Sequence, residues 1–149
     1  MEIVNFDKEF VERTKEIIEQ SQCFEHKITL LLNCMLALVN LPTERTGKND
    51  ESFKSDIIQK IKSMQVIDPE VSTTDDKLFK VVRNALSHMH INIENKNGII
   101  DEIILCDKYP KATTYHTKLK FNTQQLKEFA IFVADKHLER LSTQNTEKI

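Results

Sequence analysis

Hydrophobic residues recur every three or four positions through most of this chain, which is the spacing that gives an α-helix one buried face. The stretch from Ile28 to Leu41 differs because it is apolar nearly all round, as expected of a helix in a protein core. Asn5 is expected to cap the first helix, and Pro42 to end the second. The polar stretch 43–54 predicts a loop. The pattern predicts helices over residues 6–20, 25–40, 55–64 and from 73 or 74 to 88.

The fourth predicted helix has one apolar face and one polar face. Asp75 and Asp76 fall in its first turn, where the helix dipole favours carboxylates. Its apolar positions predict the buried side, which comprises Leu78, Val81, Val82, Ala85, Leu86 and Met89.

The periodicity changes from helical to alternating after His88. Asn97-Gly98 favours a tight hairpin turn between two extended segments, and a third extended segment is predicted over 113–121. Asn122 and Gln125 have the spacing of a capping box for a last helix that runs to about Leu141. The fold class is therefore mainly α, a helical bundle with a small antiparallel sheet inserted before the last helix. We expect one domain over residues 1–149, with a frayed tail at 142–149.

Composition limits the possible functions. The chain has 149 residues, net charge −2 and only two glycines and three prolines, which favours a helical protein over a turn-rich β-sandwich. It has neither a broad basic surface nor a stretch that interleaves aromatic with basic residues, so any RNA would bind at a local patch. Three widely spaced cysteines argue against a disulfide framework and a Cys-based zinc site, and Cys34 is expected in the core.

The expected location is cytoplasmic, with no membrane partner. The first ten residues lack the basic and apolar regions of a signal peptide. The apolar stretch 28–41 is too short to cross a bilayer.

The segment Arg83-Asn84-Ala85-Leu86-Ser87-His88 is the part of the chain most suited to chemistry. Arg83, Asn84, Ser87 and His88 lie off the apolar face, with Arg83 and His88 roughly 140° apart around the helix. Cleavage of RNA by its own 2′-hydroxyl needs a base, an acid and a cation for the phosphate, and histidine and arginine supply these. One histidine does not easily serve as both base and acid. Two subunits related by a two-fold axis would supply two of each group.

The run RNALSH resembles the Arg-x4–6-His signature of the HEPN superfamily, in which a polar residue such as Asn84 often follows the arginine. FVERTKEIIEQ followed by EHKITLLLNCMLALVNLP is similar to a HEPN branch of small plasmid-borne and mobile-element proteins. The resemblance implies a homodimer that cleaves RNA without a metal or other cofactor, in a toxin or anti-invader role. It implies Arg83 and His88 as the catalytic pair, with Asn84 as its polar neighbour. We expect all three to act in catalysis, and Ser87 and His90 to contact the RNA substrate.

One toxin group of that superfamily has Arg-x4-His-x-Tyr, with a tyrosine that an antitoxin partner modifies. His90 occupies that position here, so this form of regulation is not expected, although another antitoxin protein remains an alternative. Many HEPN domains are non-catalytic, so a dimer that binds RNA, a nucleotide or a protein is a second hypothesis. An immunity or antitoxin subunit is a third.

Ordinary roles compete with the functional ones. Arg83 suits a surface salt bridge, and His88 suits the C-terminal cap of a helix. His88 and His90, joined by His116, form an alternative metal site. Four lysines lie around the third predicted strand: Lys108, Lys111, Lys118 and Lys120. We interpret them as protection of an exposed sheet edge rather than as a phosphate-binding site.

Overall fold

The structure is a computed structural model that describes residues 3–20, 27–42, 51–71 and 73–147. These residues form a mainly helical protein with a small antiparallel sheet before the last helix, as predicted. The elements in chain order are α1 (Ile3–Glu19), α2 (Lys27–Pro42), α3 (Glu51–Met64), α4 (Asp75–His88), β1 (Ile91–Lys96), β2 (Ile99–Asp107), β3 (Thr117–Phe121) and α5 (Thr123–Glu147).

The chain forms two compact units, one of residues 1–50 and 127–149 and the other of residues 51–126. Helix α5 contributes its first four residues to the second unit and the remainder to the first. The organisation as one domain over 1–149 stays a prediction.

The first unit is held together by apolar faces of its helices. In α1, Val11 and Ile18 are fully buried, and α1 packs against α2. Cys34 is buried in α2, which confirms its predicted place in the core, and burial raises the pKa of its thiol. The Lys15 ammonium of α1 pairs with the Asp135 carboxylate of α5 over 2.7 Å.

Two polar side chains of α5 are buried in that unit. The exposed fraction of the His137 side chain is 0%, and that of Arg140 is 8%. An Arg140 guanidinium nitrogen lies 2.7 Å from His137 Nδ1, so the neutral imidazole accepts a hydrogen bond there. Burial lowers the pKa of His137 to about 3, and the Arg140 charge adds to that effect. The imidazole is therefore neutral at ordinary pH.

The second unit is built around β2, which lies between β1 and β3 in an antiparallel sheet. The β1–β2 turn has positive φ at both Asn97 and Gly98, 53° and 78°. That geometry is a type I′ turn, so the predicted hairpin is confirmed. Four consecutive residues of β2, from Ile103 to Cys106, are buried, and α4 packs against this strand.

The outer side of β3 is covered by the segment that follows α3. Lys120 donates its backbone N–H to the carbonyl of Val66 over 2.7 Å, and Asp68 donates to the carbonyl of Lys118 over 3.0 Å. Ile67 forms an antiparallel bridge with Leu119. Because this edge is already hydrogen bonded, protection of an exposed edge does not explain the lysines around β3.

Most predicted helix termini are confirmed. Helix α4 follows Thr74, has Asp75 and Asp76 in its first turn, and ends at His88. At the start of α5, Gln125 donates its backbone N–H to the side chain of Asn122 over 2.7 Å, and Asn122 donates its own to Gln125 over 3.0 Å. The predicted capping box is therefore present.

Several boundaries were predicted wrongly. Helix α1 begins at Ile3, so Asn5 lies inside it and is not its cap. Helix α3 begins at Glu51, within the stretch expected to be a loop; 43–50 of that stretch lie outside the described residues. Strand β3 begins only at Thr117, and α5 continues to Glu147. None of the described helices is both long enough and apolar enough to span a bilayer.

The neutral state of His137 predicts a loss of stability in acid. An unfolded chain protonates histidine near pH 6.5, whereas folded His137 protonates only at about 3. Between these values the unfolded state binds the extra proton, so the free energy of unfolding falls as pH decreases, by about 1.4 kcal/mol per pH unit from this residue. Urea unfolding of wild type and His137→Gln between pH 4 and 8 measures this slope. We expect a shallower slope in the variant below pH 6.5. Equal slopes, with the exposed His88→Gln as control, would contradict the prediction.

Candidate functional site

The end of α4 determines where the segment Arg83–His88 lies against the sheet. Met89 follows the helix with a left-handed backbone, φ 56° and ψ 34°. His90 donates its backbone N–H to the carbonyl of Ala85 over 2.9 Å, which closes a Schellman-type turn. The carbonyl of His90 accepts from the N–H of Cys106 on β2 over 3.0 Å. His90 is thus held on both sides, by the helix and by the sheet.

That turn corrects one part of the apolar face predicted for α4. Five of its six residues are buried, but the side chain of Met89 is 75% exposed. A continued helix would have placed Met89 on the buried side. The left-handed conformation ends the helix there and turns this side chain into solvent.

The polar residues of α4 have different surroundings. Arg83, Ser87 and His88 are exposed, whereas Asn84 is half-buried. An α-helix rises about 1.5 Å per residue, so Arg83 and His88 lie about 7.5 Å apart along the axis. They also lie at opposite sides of the polar face. Within a single chain, both side chains are therefore exposed to solvent, but they point in different directions and do not face a common point.

A second imidazole lies beside His88. The ring centroids of His88 and His90 are 5.9 Å apart, with 36° between the ring planes. The left-handed turn at Met89 brings these rings together, because continued helix would have rotated residue 90 by about 200° from residue 88. The end of α4 thus carries two neighbouring imidazole side chains.

Asn84 connects α4 to a buried carboxylate. Its side-chain nitrogen donates to Asp107 Oδ2 over 2.8 Å, and the backbone N–H of Lys108 donates to Asp107 Oδ1 over 2.9 Å. His116 Nε2 lies 3.8 Å from the same Oδ2. His116 Nδ1 is 2.7 Å from the hydroxyl of Thr117. The amide of Asn84 therefore positions the helix against the end of β2, and its predicted catalytic role stays a prediction.

Two tyrosines and three lysines lie together next to these residues, and we call them the Tyr–Lys patch. The ammonium of Lys77, on α4, lies 4.9 Å from the centroid of the Tyr109 ring. Lys108 and Lys118 lie 5.9 and 5.6 Å from the centroid of the Tyr115 ring. Such distances are typical of cation–π contacts. The expectation that aromatic and basic residues are not interleaved is therefore wrong.

Comparison with known proteins identifies the family. The family model described as HEPN pEK499 p136 matches residues 1–144. This chain belongs to that HEPN family. Comparison with curated proteins and with solved structures gives no match. Family membership indicates an HEPN-type nuclease or RNA-binding role, and RNA or dimer interactions.

The alternative metal site of this HEPN protein is not supported. Among the described residues, no three His, Cys, Asp or Glu side chains are grouped so that they could hold a metal ion. His88 and His90 are neighbours, but His116 is turned towards Asp107 and Thr117. The three histidines therefore do not converge.

Sequence reasoning missed Asp107, Tyr109 and Tyr115 in this HEPN chain. A signal was present, since KYPKATTYHTKLK over residues 108–120 alternates basic with aromatic residues. The interpretation of the lysines as edge protection concealed it. Asp107 had no such signal, because only the fold shows that its carboxylate is buried beside α4.

The hydrogen bond between Asn84 and Asp107 should contribute measurably to stability. Asn84→Ala leaves the buried Asp107 carboxylate without one donor, and we expect unfolding free energy to fall by about 1–3 kcal/mol. Urea unfolding at pH 7 measures this change.

Asn92→Ala is the matched control. The Asn92 amide lies 3.9 Å from the sulfur of Cys106, a weak contact, so we expect a change below about 0.5 kcal/mol. A double-mutant cycle with Asp107→Ala should give a coupling energy for the pair. Additive effects of Asn84→Ala and Asp107→Ala would show that the bond does not stabilise the fold.

Proposed function

We propose that this chain is a metal-independent endoribonuclease that acts as a homodimer, in a toxin or anti-invader defence role. The observation that carries the proposal is the pair of imidazoles, His88 and His90, at the end of an α4 that also exposes Arg83. Membership of the HEPN family also supports a nuclease or RNA-binding role.

The proposed reaction is an internal transfer of the phosphate. An imidazole accepts the proton of the RNA 2′-hydroxyl, and the 2′-oxygen attacks phosphorus. The bond from phosphorus to the 5′-oxygen breaks, and a second imidazole gives that oxygen a proton. The products are a 2′,3′-cyclic phosphate and a 5′-hydroxyl end. The charges balance because one proton is removed and one is supplied.

Arg83 has the electrostatic role in this scheme. Its guanidinium is always charged and can bind two phosphate oxygens in one plane. It therefore stabilises the negative charge that builds on those oxygens in the transition state. Because the helix separates Arg83 from His88 by about 140°, a partner subunit is required to face both groups towards one phosphodiester. Ser87 contacts the RNA beside them, and His90 both contacts it and serves as the second imidazole.

Substitution of the two catalytic groups tests the proposal. The purified protein should cleave single-stranded RNA in EDTA and leave cyclic-phosphate ends. His88→Ala and Arg83→Ala should each lower the rate by about 100-fold or more, the range for an acid–base or charge-stabilising group. Gel assays with end-group analysis measure both effects.

Two variants control for loss of charge and for damage at the helix end. Arg13→Ala removes an exposed arginine of α1, and Met89→Ala changes an exposed side chain next to His88. Both should cleave at the wild-type rate. Cleavage by His88→Ala and Arg83→Ala at that rate would refute the assignment.

The dimer is tested separately by mass. Light scattering should give twice the 17.4 kDa of one chain at concentrations where cleavage is observed. A monomer that cleaves RNA would contradict the shared site. The comparisons support no antitoxin partner, so the proposal includes none.

A non-catalytic dimer that binds RNA, a nucleotide or a protein is the second candidate. One observation favours it, because the Asn84 amide already donates to Asp107 and is engaged in the fold. Tight RNA binding by wild type without cleavage would support this candidate. Toxicity on expression that Arg83→Ala and His88→Ala relieve would support the nuclease.

A further inference from the structure

We propose that the Tyr–Lys patch binds single-stranded RNA, by stacking bases on Tyr109 and Tyr115 and contacting phosphates through Lys77, Lys108 and Lys118. The inference rests on the proposed nuclease function for the place of the scissile phosphate, next to His88. It assigns the single-stranded substrate of that enzyme a binding surface beside the catalytic groups.

The tyrosines supply the first part of the argument. Tyr109, two residues after the end of β2, is 56% exposed. Its ring lies 4.6 Å, centroid to centroid, from that of His116. The half-buried His116 is in turn close to the hydroxyl of Thr117. Tyr109 is therefore an exposed ring on a fixed support, which is what stacking of a nucleobase requires.

The lysines supply the second part. They come from separate elements, since Lys77 lies on α4, Lys108 follows β2 and Lys118 lies on β3. The fold places all three ammonium groups within 6 Å of a tyrosine centroid. Because Val66–Asp68 covers the β3 edge, protection of an exposed edge does not explain these lysines. Cations beside aromatic rings match a nucleotide, which carries an anionic phosphate next to a flat base.

The patch is continuous with the catalytic groups. The Tyr115 ring lies 6.3 Å from that of His90, and His90 lies 5.9 Å from His88. A strand that stacks on Tyr115 therefore passes close to the two imidazoles. The nearby carboxylate of Asp107 would repel phosphate, but it is buried, and Asn84 and the Lys108 backbone donate to both of its oxygens.

Unpaired RNA fits this surface better than a duplex or an acidic protein segment. In A-form duplexes the bases are stacked on one another and are not available to a protein ring. An acidic peptide would satisfy the lysines but would have no use for the exposed Tyr109 ring. The two alternatives therefore differ from the proposal in how much the tyrosines contribute.

Binding of an uncleavable strand tests the proposal independently of catalysis. The probe is a fluorescein-labelled 2′-O-methyl RNA, which lacks the attacking hydroxyl, and fluorescence anisotropy gives its Kd. Tyr109→Ala and Tyr115→Ala should each weaken binding roughly 5- to 150-fold. Tyr109→Phe and Tyr115→Phe keep the ring and should bind like wild type. They also separate stacking from folding where an alanine variant unfolds.

The lysines are tested through salt dependence. Each phosphate contact to a single strand contributes about 0.7 to the slope of log Kd against log salt concentration, so removing one contact lowers the slope by that amount. The combined change of Lys77, Lys108 and Lys118 to Gln should therefore lower the slope by about 2. Lys111→Gln is the matched control, because Lys111 is exposed in the same loop. It should leave the slope and the Kd unchanged.

The outcomes separate this proposal from the nuclease. Binding that requires the tyrosines, in a wild type that never cleaves RNA, supports the patch and refutes the nuclease. Cleavage by wild type with unchanged Kd in both tyrosine-to-alanine variants refutes the patch alone. If Lys111→Gln weakens RNA binding as much as a single Lys→Gln change in the patch does, the binding is general charge attraction and the patch is refuted. Equal affinity for duplex and single-stranded RNA would refute the patch in the same way. Displacement of RNA by poly-glutamate that is insensitive to Tyr109→Ala would assign the surface to acidic protein instead.

Discussion

The buried carboxylate of Asp107 is the constraint on which the second unit of this protein depends. A charge in a protein interior is costly unless hydrogen bonds replace the water that it has lost. Asn84 of α4 and the backbone of Lys108 donate to its two oxygens, and His116 Nε2 lies near one of them. These partners come from α4, from the end of β2 and from the loop before β3. The hydrogen bonds and close contact that the Asp107 carboxylate makes therefore fix where those three parts of the chain meet.

The position of that carboxylate explains why the candidate catalytic residues lie at one end of α4. Asn84 faces the sheet, so Arg83, one residue earlier, is turned out to solvent. The chain then leaves the helix through the left-handed turn at Met89, and the hydrogen bond from Cys106 holds His90 next to β2. The same contacts that join helix and sheet thus set the distance between His88 and His90.

Local signals predicted much of this fold. The type I′ turn at Asn97-Gly98 and the capping box of Asn122 and Gln125 depend on residues a few positions apart, and both are confirmed. The end of α4 at His88 was predicted, but Met89 was wrongly assigned to its apolar face, because the sequence does not show the left-handed backbone that turns this side chain into solvent. The start of α3 was missed because ESFK is polar, and its burial of Phe53 depends on tertiary packing.

The sequence predicted only the part of the candidate site that lies within a single helix. Arg83, Ser87 and His88 share one face of a helix, and helical geometry alone shows that they reach solvent. The meeting of Lys77 with Tyr109 crosses from α4 to the end of β2, and no spacing in the sequence encodes that contact. The engagement of Asn84 by Asp107 spans 23 positions and changes what the motif's second residue does.

Electrostatics decides how such a site could hold RNA. The chain carries a net charge of −2, so its overall field does not concentrate a polyanion near the surface. At physiological salt the Debye length is about 8 Å, and only cations almost in contact with a phosphate attract it appreciably. Three lysines alone would then give weak, salt-sensitive binding. Stacking on an exposed ring is much less sensitive to salt and is worth about 1–3 kcal/mol per base. The tyrosines must therefore carry the larger share of affinity, and access to unpaired bases, rather than base sequence, would select the substrate.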